Sequence, residues 1–589
     1  MIAKSRVKLI LGIILFGCLL ALLYATLTGL GALVTYFNRG ADPESALKLI
    51  PSAPADLKDR LTWLADYPTD IEGRPMAPFT REEIGGAYLN AWAQWGIAYE
   101  LQQPYGLKTY FARPALDAVS SAITATVAAG WRIRQSNLHH TLQLAFYADD
   151  GAMVAFTDHE AHLVQQILQT DGRVGRINES TSVYDVVMLL EDGNWRIHDL
   201  VRRGNGPPLR VERSDQAAGT AGFVYVQGNE LRLDGQRYQV AGINYYPQAS
   251  PWTQFWPEYD PGETKVDLDL IRQLGLNSVR IFISYVDFGG DKVDLVNVAK
   301  LRHFLDQAQA HELKVIVTLF DHHTDHAVAQ WAADDRHLAG FIPQLADHPA
   351  ILAWDIKNEA NRDYGLNTPE LTDAWLRHVA NTVRRHDPNH LLTVGWSTPE
   401  AAATLTDVLD FISFHYFEDS ADYSARLEKL IAAAPDKPVV LQEFVMSTWN
   451  PYWWPHGHTE AEQALYYADL LGQHRNYDTA GYMVWTLHDF DSVPLAEFSL
   501  PWQQATQANM GLRRGDGSWK PASALIHPGA PLDELAPLPR WQRFTKPFWR
   551  TVMAGALVML GLLGWLWRKW GRRIVTLGYT RYRGDRANK

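Results

Sequence analysis

Eight short apolar runs between residues 222 and 527 constrain the fold of this chain more than any other feature of its sequence. Each run has the length and composition of a strand, and most are followed by an amphipathic helical pattern such as KVDLDLIRQLG or LVNVAKLRHFLDQAQAHE. Eight alternating units over roughly 260 residues predict a (β/α)8 barrel. A doubly wound sheet is the alternative, although no Gly-rich phosphate loop follows the first run.

Polar residues gather where these runs end, which is the end of a barrel that carries the active site. The fourth run, ILAWDIKNEAN, ends in Asn358 and Glu359, and the seventh, KPVVLQEFV, carries Glu443. Strands four and seven face each other across the barrel mouth, so we expect the two glutamates to meet there. The other candidate site residues are Trp252, Arg280, His322, His415, Tyr416 and Trp485.

Five segments spread over about residues 225 to 525 match one family: GINYYP, NSVRIF, WDIKNEAN, DFISFHYF and LQEF. Together they resemble the retaining β-glycosidase superfamily, and most closely glycoside hydrolase family five, the cellulases and mannanases. The resemblance implies Glu359 as acid/base, Glu443 as nucleophile and Asn358 as a contact to the sugar 2-hydroxyl. Retaining enzymes hold the two carboxyls ~5–5.5 Å apart. Arg280 is the cation expected to keep Glu443 ionised.

Three positions depart from the family pattern. Ala360 stands where the family has proline, and FVMS follows the seventh strand where glycine is common. On the sixth strand Tyr416 and Phe417 both compete for the place of the aromatic residue that follows His415.

Tryptophans in the loops are candidates for stacking on sugar faces, because sugars present C–H patches to an aromatic ring. Trp485, at the end of the eighth run, is the strongest candidate for the floor of the subsite beside the scissile bond. Buried packing is the alternative for the other members of the set, which are Trp252, Trp256, Trp396, Trp449, Trp453 and Trp454.

The segment DHHTDH, residues 321–326, has the residue types of a metal site but not the spacing. Its adjacent histidines would point apart on an extended chain, so we interpret it as a rim loop whose His322 touches substrate. No metal and no cofactor are predicted.

Two charge-free apolar segments lie near the ends of the chain. Residues 9–37 exceed the ~20 residues that span a bilayer, and residues 551–567 lie at the short limit. Basic residues precede the first segment and follow the second, in the tail 568–589, which predicts that both termini are cytoplasmic. The expected location is a bacterial inner membrane with residues 40–545 in the periplasm. Lipidation of Cys18 is a weaker alternative, since the chain stays apolar after it.

A smaller α+β domain is predicted over residues 41–205, from two amphipathic helices (APADLKDRLTWLADY and TREEIGGAYLNAWAQWGIAYE) followed by antiparallel strands with an EDGN hairpin turn. The order resembles the nuclear-transport-factor-2-like cone. Residues 206–221 are expected to link it to the barrel domain, residues 222–527, and residues 528–550 to lead to the second span. Four polar residues of the α+β domain are expected on solvated strand faces: His139, His140, Asp158 and His159.

The sequence therefore predicts a membrane-anchored retaining β-glycoside hydrolase acting on a β-linked polysaccharide or oligosaccharide, in association with a polysaccharide export complex. A net charge of −12 disfavours nucleic acid as a partner. Two alternatives stay open: a catalytically inactive polysaccharide-binding scaffold, and a transglycosylase that uses the same residues.

Overall fold

The computed structural model describes residues 59–68, 73–211, 220–532 and 544–584, with side chains described as far as residue 568. A five-stranded sheet and two helices form the first domain, and a closed barrel of eight parallel strands forms the second. Each has a hydrophobic core of its own. The predicted (β/α)8 barrel is confirmed.

The first domain packs helices α1 (Pro78–Glu100) and α2 (Ala115–Ala128) against a long, mainly antiparallel sheet. Its strands are β1 (Leu61–Trp63), β2 (Trp131–Tyr147), β3 (Met153–Gln169), β4 (Val174–Glu191) and β5 (Asn194–Asn205). Asp192 and Gly193 make the β4–β5 turn with positive φ angles of 51° and 76°, the conformation that an Asp-Gly hairpin favours. The assignment to the nuclear-transport-factor-2-like cone stays a prediction.

Two sequence predictions for this domain are wrong. Within residues 53–67, predicted as helix, Leu61–Trp63 is instead a strand that pairs in parallel with β2, because pairing brings its apolar side chains onto the core. His140 and Asp158 are fully buried rather than solvated. Asp158 Oδ2 lies 2.7 Å from His140 Nδ1 and accepts a hydrogen bond of 2.8 Å from Tyr88, so the buried carboxylate is satisfied.

A small three-stranded sheet precedes the barrel: β6 (Val224–Gln227), β7 (Glu230–Leu233) and β8 (Gln236–Arg237). Val224 and Leu231 pack into a cluster with apolar residues at the starts of the barrel strands, such as Val240 and Val440. This sheet therefore covers the amino-terminal end of the barrel and leaves the opposite end open.

The barrel strands are β9 (Val240–Asn244), β10 (Ser278–Ser284), β11 (Lys314–Asp321), β12 (Ile351–Asn358), β13 (Leu391–Trp396), β14 (Ile412–Tyr416), β15 (Val439–Phe444) and β16 (Gly481–Trp485). Neighbours in sequence pair in parallel, and β16 pairs with β9 to close the ring. The strands are buried almost throughout, which explains why they read as continuous apolar runs.

Seven helices lie among the barrel strands in the described residues: α3 (Pro261–Gln273), α4 (Leu295–Ala310), α5 (Trp331–Leu345), α6 (Pro369–His386), α7 (Tyr423–Ala433), α8 (Glu460–His474) and, after β16, α9 (Pro501–Ala508). Strand β2 of the first domain contacts α5, and β4 contacts α6, so the two domains share an interface.

The last helix, α10, runs from Pro547 to Gly584. Its segment Pro547–Arg568 is predominantly apolar and has no buried residues, and among the described residues it is the one helix long and apolar enough to cross a membrane. The predicted second span, residues 551–567, falls within it. The predicted first span, residues 9–37, lies outside the described residues.

Candidate active site

Glu359 follows the last residue of β12 in a left-handed conformation, with φ 50° and ψ 44°. Its backbone N–H donates to the Gly395 carbonyl oxygen at 2.6 Å, which ties this turn to the neighbouring strand β13. A residue with a side chain adopts such a backbone at a cost, and this kind of strain is common at functional sites. The apolar strand therefore ends by turning its carboxylate into the barrel mouth.

Arg280, on β10, is fully buried beneath the two glutamates and organises the polar floor of the site. Its shortest ion pair is with Asp355 on β12, Nη2 to Oδ2 at 2.7 Å, and its contact with Glu443 is longer, Nη1 to Oε2 at 3.3 Å. The complete set of side chains that accept from it is Asn244, Thr318, Asp355, Asn358 and Glu443. Such saturation is what a buried guanidinium requires.

Gly395 lies where this polar floor is most crowded. A Cβ added there would lie 2.6 Å from Gln442 Oε1, 2.9 Å from Arg280 Nη2 and 3.1 Å from His415 Nε2. Any side chain at this position would displace the groups that hold the two glutamates, so the close packing of the floor requires glycine.

His415, on β14, lies between the two glutamates. Its Nδ1 is 3.4 Å from Glu359 Oε1 and 4.0 Å from Glu443 Oε2. The imidazole is fully buried and its Nε2 is 3.3 Å from Gln442 Oε1. Because both carboxylates lie within 4.0 Å of one atom, their separation is compatible with that of a retaining pair.

The environments of the two carboxyls separate their proton affinities. Burial alone would raise the pKa of Glu359, but the hydrogen bond and charge of His415, with Arg362 and Arg280, hold it below its usual value. Burial raises the pKa of Glu443, and the charges of His415 and Arg280 offset this only in part. Arg280 thus favours ionised Glu443, as expected, but the effect of burial on the pKa of this carboxyl is larger.

The two glutamates open into a cavity of about 1630 Å³ at the carboxyl ends of the strands. This is larger than the roughly 300–1,000 Å³ of a typical small-molecule site. Its aromatic lining includes Tyr246, Trp252, Phe417, Trp449, Trp454 and Trp485. The volume and the aromatic walls suit a chain of several sugar units rather than a single small ligand.

Trp252 and Trp485 form one wall, with ring centroids 6.0 Å apart. Both are largely buried by their neighbours yet line the cavity. Two other candidate tryptophans lie elsewhere: Trp256 is buried and donates from Nε1 to the Phe282 carbonyl oxygen at 2.7 Å, and Trp396 is fully buried in the barrel core. For these two tryptophans, the interpretation as buried core residues rather than sugar-stacking residues is the correct one.

Phe417, the residue after β14, lines the cavity, whereas Tyr416, the last residue of that strand, does not. The Tyr416 hydroxyl donates to the Asp419 carbonyl oxygen at 2.6 Å, and Arg426 lies over its ring. Since successive residues of an extended chain point to opposite faces, Phe417 shares the side of His415 and Tyr416 does not. The expected contact between Tyr416 and substrate is therefore a misassignment.

His322 lines the cavity, as expected of a rim residue, and lies between two carboxylates. Its Nε2 is 3.2 Å from Asp321 Oδ2 and its Nδ1 is 3.3 Å from Glu497 Oε2. The Asp321 charge raises the pKa of His322 to about 9 against the opposing effect of burial. Sequence reasoning missed Glu497 as a partner of His322, because Glu497 lies in a loop far along the chain.

Several other polar residues of the site were missed. Asn244, Asp355 and Gln442 all lie on barrel strands and were read as part of apolar runs. A polar residue inside a buried strand is itself a signal, because burial of such a group requires a partner.

The described residues contain one cluster with the composition of a metal site, and it is not in the segment DHHTDH. Glu179 Oε1 lies 2.8 Å from His162 Nε2 and 2.7 Å from His378 Nδ1, at the interface between the two domains. The other nitrogen of His378 is 2.9 Å from Asp335 Oδ1. Hydrogen bonding already satisfies this cluster, and it lies outside the barrel mouth.

Comparison with known proteins agrees with this geometry. Residues 231–491 match the family described as cellulase (glycosyl hydrolase family 5). A mannan endo-1,4-β-mannosidase A of Hypocrea jecorina is 22% identical, over 38% of this chain and 63% of the relative. A mannan endo-1,4-β-mannosidase 1 of Oryza sativa subsp. japonica is 25% identical, over 46% of this chain and 80% of the relative. The chain spans about half the length of several other fungal relatives.

Among solved structures, the exo-β-1,4-mannosidase Op5Man5 from Opitutaceae bacterium strain TAV5 is 19% identical, with a TM-score of 0.43, over 51% of this chain and 61% of that one. The structure of GH5_18 from Streptomyces cattleya in complex with GlcNAc is 21% identical, with a TM-score of 0.42, over 51% of this chain and 83% of that one.

Proposed function

We propose that this chain, whose barrel domain belongs to glycosyl hydrolase family 5, is a membrane-anchored retaining β-glycosidase that hydrolyses a β-linked polysaccharide or oligosaccharide. The observation that carries the proposal is the placement of Glu359 and Glu443 around His415 Nδ1, at 3.4 Å and 4.0 Å, in the wall of one large cavity. Two carboxyls at this spacing can serve one anomeric carbon.

In the first step Glu443 attacks the anomeric carbon while the bond between that carbon and the leaving oxygen breaks. Glu359 gives its proton to the leaving oxygen. The pKa directions of the two carboxyls run against this assignment, so substrate has to reverse them. Positive charge that develops on the sugar favours ionised Glu443. A leaving oxygen packed against Glu359 desolvates that carboxyl and favours its protonated form.

In the second step Glu359 removes a proton from water, and the resulting hydroxide oxygen displaces Glu443 from the anomeric carbon. The product keeps the β configuration because the carbon is inverted twice. Glu359 ends protonated and Glu443 ends as a free carboxylate, so the site is restored for the next turnover.

Asn358 is suited to hold the sugar next to the scissile bond. Its Oδ1 accepts from Arg280 Nη2 at 2.8 Å, which orients the amide so that the nitrogen can donate toward the cavity. A hydrogen bond from this amide to the sugar 2-hydroxyl would strengthen as charge develops on the ring. Trp485 and Trp252 supply a hydrophobic wall for the same sugar.

A β-1,4-linked mannan is the first substrate to test, because the curated relatives carry the name mannan endo-1,4-β-mannosidase. The exposed apolar segment Pro547–Arg568 supports anchoring in a membrane, and the basic tail after it supports a cytoplasmic terminus. A periplasmic barrel anchored in this way could trim a polysaccharide during its export.

The test is hydrolysis of β-mannan and β-glucan by the full chain in detergent micelles, with products analysed by size and by the configuration of the new reducing end. Glu443→Gln should abolish turnover, roughly 10⁴-fold or more, while the exposed control Glu428→Gln should not change it. Glu359→Ala should keep cleavage of a dinitrophenyl β-glycoside, whose leaving group needs no proton, and azide should accelerate release of the product.

The alternatives give different results in the same assay. A polysaccharide-binding scaffold would bind the glycans without releasing reducing ends, and a fluoroglycoside would label neither glutamate. A transglycosylase would produce longer chains when an acceptor sugar is added. Retained activity in Glu443→Gln would contradict the assignment of the nucleophile.

A further inference from the structure

The start of α10 is attached to a loop of the barrel mouth by one lysine. Lys546 precedes the helix by one residue, and its Nζ donates to the Gly457 carbonyl oxygen at 2.9 Å. The same ammonium lies 2.7 Å from Oε1 of Glu462, a residue in the first turn of α8. The Lys546 side chain is only 13% exposed. We call this pair of contacts the Lys546 clamp.

The loop that the clamp holds is a wall of the catalytic cavity. It follows β15, the strand of Glu443, and its members Trp449, Trp454, His456 and His458 line the cavity. Glu462, the acidic partner of the clamp, lines it as well. The first residue of the apolar helix is therefore covalently adjacent to a group fixed on the cavity wall.

The length of the apolar segment sets where a bilayer would lie. Pro547–Arg568 comprises 22 residues, none of them buried, and at ~1.5 Å per residue it spans about the 30 Å of a hydrocarbon core. The charge-free residues 551–567 would fill the hydrocarbon core, with Arg550 at its edge, ~6 Å along the helix from Lys546. The Lys546 clamp, and with it the cavity rim, would then lie at the level of the lipid headgroups.

Aromatic side chains mark the same level on both the helix and the rim. At the start of α10 the Trp549 ring contacts Phe544 and Phe548, with ring centroids 6.1 Å and 5.3 Å apart. On the rim loop Tyr452 is 65% exposed and Trp453 is 48% exposed. Tryptophan and tyrosine are enriched at membrane interfaces, where an apolar ring and a polar edge are both solvated.

From these four features we infer that the catalytic cavity opens onto the bilayer surface, with the loop 449–458 resting on the headgroups. The glycan that enters is then one held at the membrane by one end, and its free part reaches Glu359 and Glu443 without leaving the surface. The statement about the glycan rests on the proposed glycosidase function. The orientation of the cavity does not.

The orientation can be measured with nitroxide labels on the full chain in nanodiscs of phosphatidylethanolamine and phosphatidylglycerol. On a Cys18→Ser background, two single-label variants are made, Trp453→Cys and Asp436→Cys. Asp436 is an exposed residue before β15, at the opposite end of the barrel. We expect the ratio of collisions with oxygen to collisions with a water-soluble nickel chelate to be several-fold higher at 453 than at 436. Equal ratios at the two positions would overturn the inference.

The clamp can be tested in the same preparation. Lys546→Glu places two carboxylates together and should lower the collision ratio at position 453 toward that at 436, whereas Lys265→Glu on the exposed face of α3 should not. An unchanged ratio in Lys546→Glu would show that the clamp does not set the orientation.

The glycan is tested with β-1,4-mannotetraose, either free in solution or linked to a lipid in the same nanodiscs. We expect turnover of the tethered form to exceed that of the free form at least tenfold at equal bulk concentration, and Lys546→Glu to reduce this ratio. Equal turnover would overturn the statement about the glycan. If neither form is cleaved while label 453 reports the interface, the choice of β-1,4-mannan as the substrate fails and the orientation stands.

Discussion

Glu359 and Glu443, 84 residues apart in sequence, approach the same nitrogen of His415, at 3.4 Å and 4.0 Å. Glu359 follows the end of β12 and Glu443 lies on β15, and Arg280 donates to Glu443 and to Asn358, the residue before Glu359. The relationship makes the protonation of each carboxyl depend on its neighbours.

Arg362 should control the alkaline limb of the pH profile. Its Nη1 lies 2.8 Å from Glu359 Oε2, and its charge contributes to the lowered pKa of that carboxyl. Arg362→Gln removes the charge, so the pKa of Glu359 rises and this carboxyl, the proposed acid, stays protonated to higher pH. The alkaline limb of kcat/KM plotted against pH should move upward. The surface variant Arg377→Gln should leave the limb in place, and a downward shift in Arg362→Gln would contradict the electrostatic argument.

Arg280→Lys should reduce stability and activity strongly, although the substitution keeps the positive charge. The lysine ammonium cannot reproduce the fork that serves Asp355, Asn358 and Glu443 at once. Breaking such a buried ion pair costs about 3–5 kcal/mol in the free energy of unfolding. We expect kcat to fall at least about 100-fold, since misplacement of catalytic groups by ~1 Å has effects of that size.

A matched control for this change is Arg272→Lys, whose partner Glu312 is largely exposed. Denaturant unfolding and steady-state kinetics should find that variant close to the original protein, because exposed ion pairs contribute little. Equal stability and activity in Arg280→Lys would mean that the guanidinium network does not organise the site.

Gly395→Ala should impair catalysis with little effect on the rest of the barrel. The added methyl group would push against Gln442, Arg280 and His415, three groups that position the glutamates. We expect kcat to fall by about 10- to 100-fold, by the same argument from misplaced groups. Gly86→Ala, in helix α1 of the first domain with nothing within 4 Å of the new Cβ, is the control and should keep full activity.

Phe417 and Tyr416 should differ in their effect on substrate binding. Phe417→Ala removes a ring from the cavity wall and should raise KM several-fold. Tyr416→Phe removes a hydrogen bond to the Asp419 carbonyl oxygen and should lower the free energy of unfolding by about 1 kcal/mol, with KM unchanged. The opposite pattern in KM would restore Tyr416 as the residue that contacts substrate.

The domain interface should weaken at alkaline pH. Burial alone would lower the pKa of His378, but Asp335 and Glu179 raise it from 6.5 to about 10. A folded-state pKa above the unfolded value stabilises the fold fully below pH 6.5, and this contribution is lost as the pH rises through about 10. Denaturant unfolding from pH 7 to 10 should show the difference between the original protein and His378→Asn becoming smaller.

The surface variant His303→Asn is the control for that series, since His303 lies on an exposed part of α4. Its difference from the original protein should be small at every pH. A His378→Asn difference that is constant from pH 7 to 10 would mean that the charge of His378 does not stabilise the interface.

The sequence by itself determined the barrel fold and the placement of the two glutamates at one end of it, because both follow from local sequence patterns. Each strand is a continuous apolar run, and a barrel places every carboxyl end of a strand at one rim. Glu359 and Glu443 could therefore be brought together without knowing any side-chain contact. The exclusion of Tyr416 from the cavity could also have been predicted from the alternation of extended residues.

Only the tertiary structure decided what surrounds the two glutamates. A register shift between Asp355 and Asn358 on β12 brings both onto Arg280, although strict alternation would separate them. The contact of His378 with Glu179 joins residues 199 apart in sequence, and that of Lys546 with Gly457 joins residues 89 apart. Such contacts form because buried charges require partners wherever the packed chain offers them, and no local pattern in the sequence specifies which partner that will be.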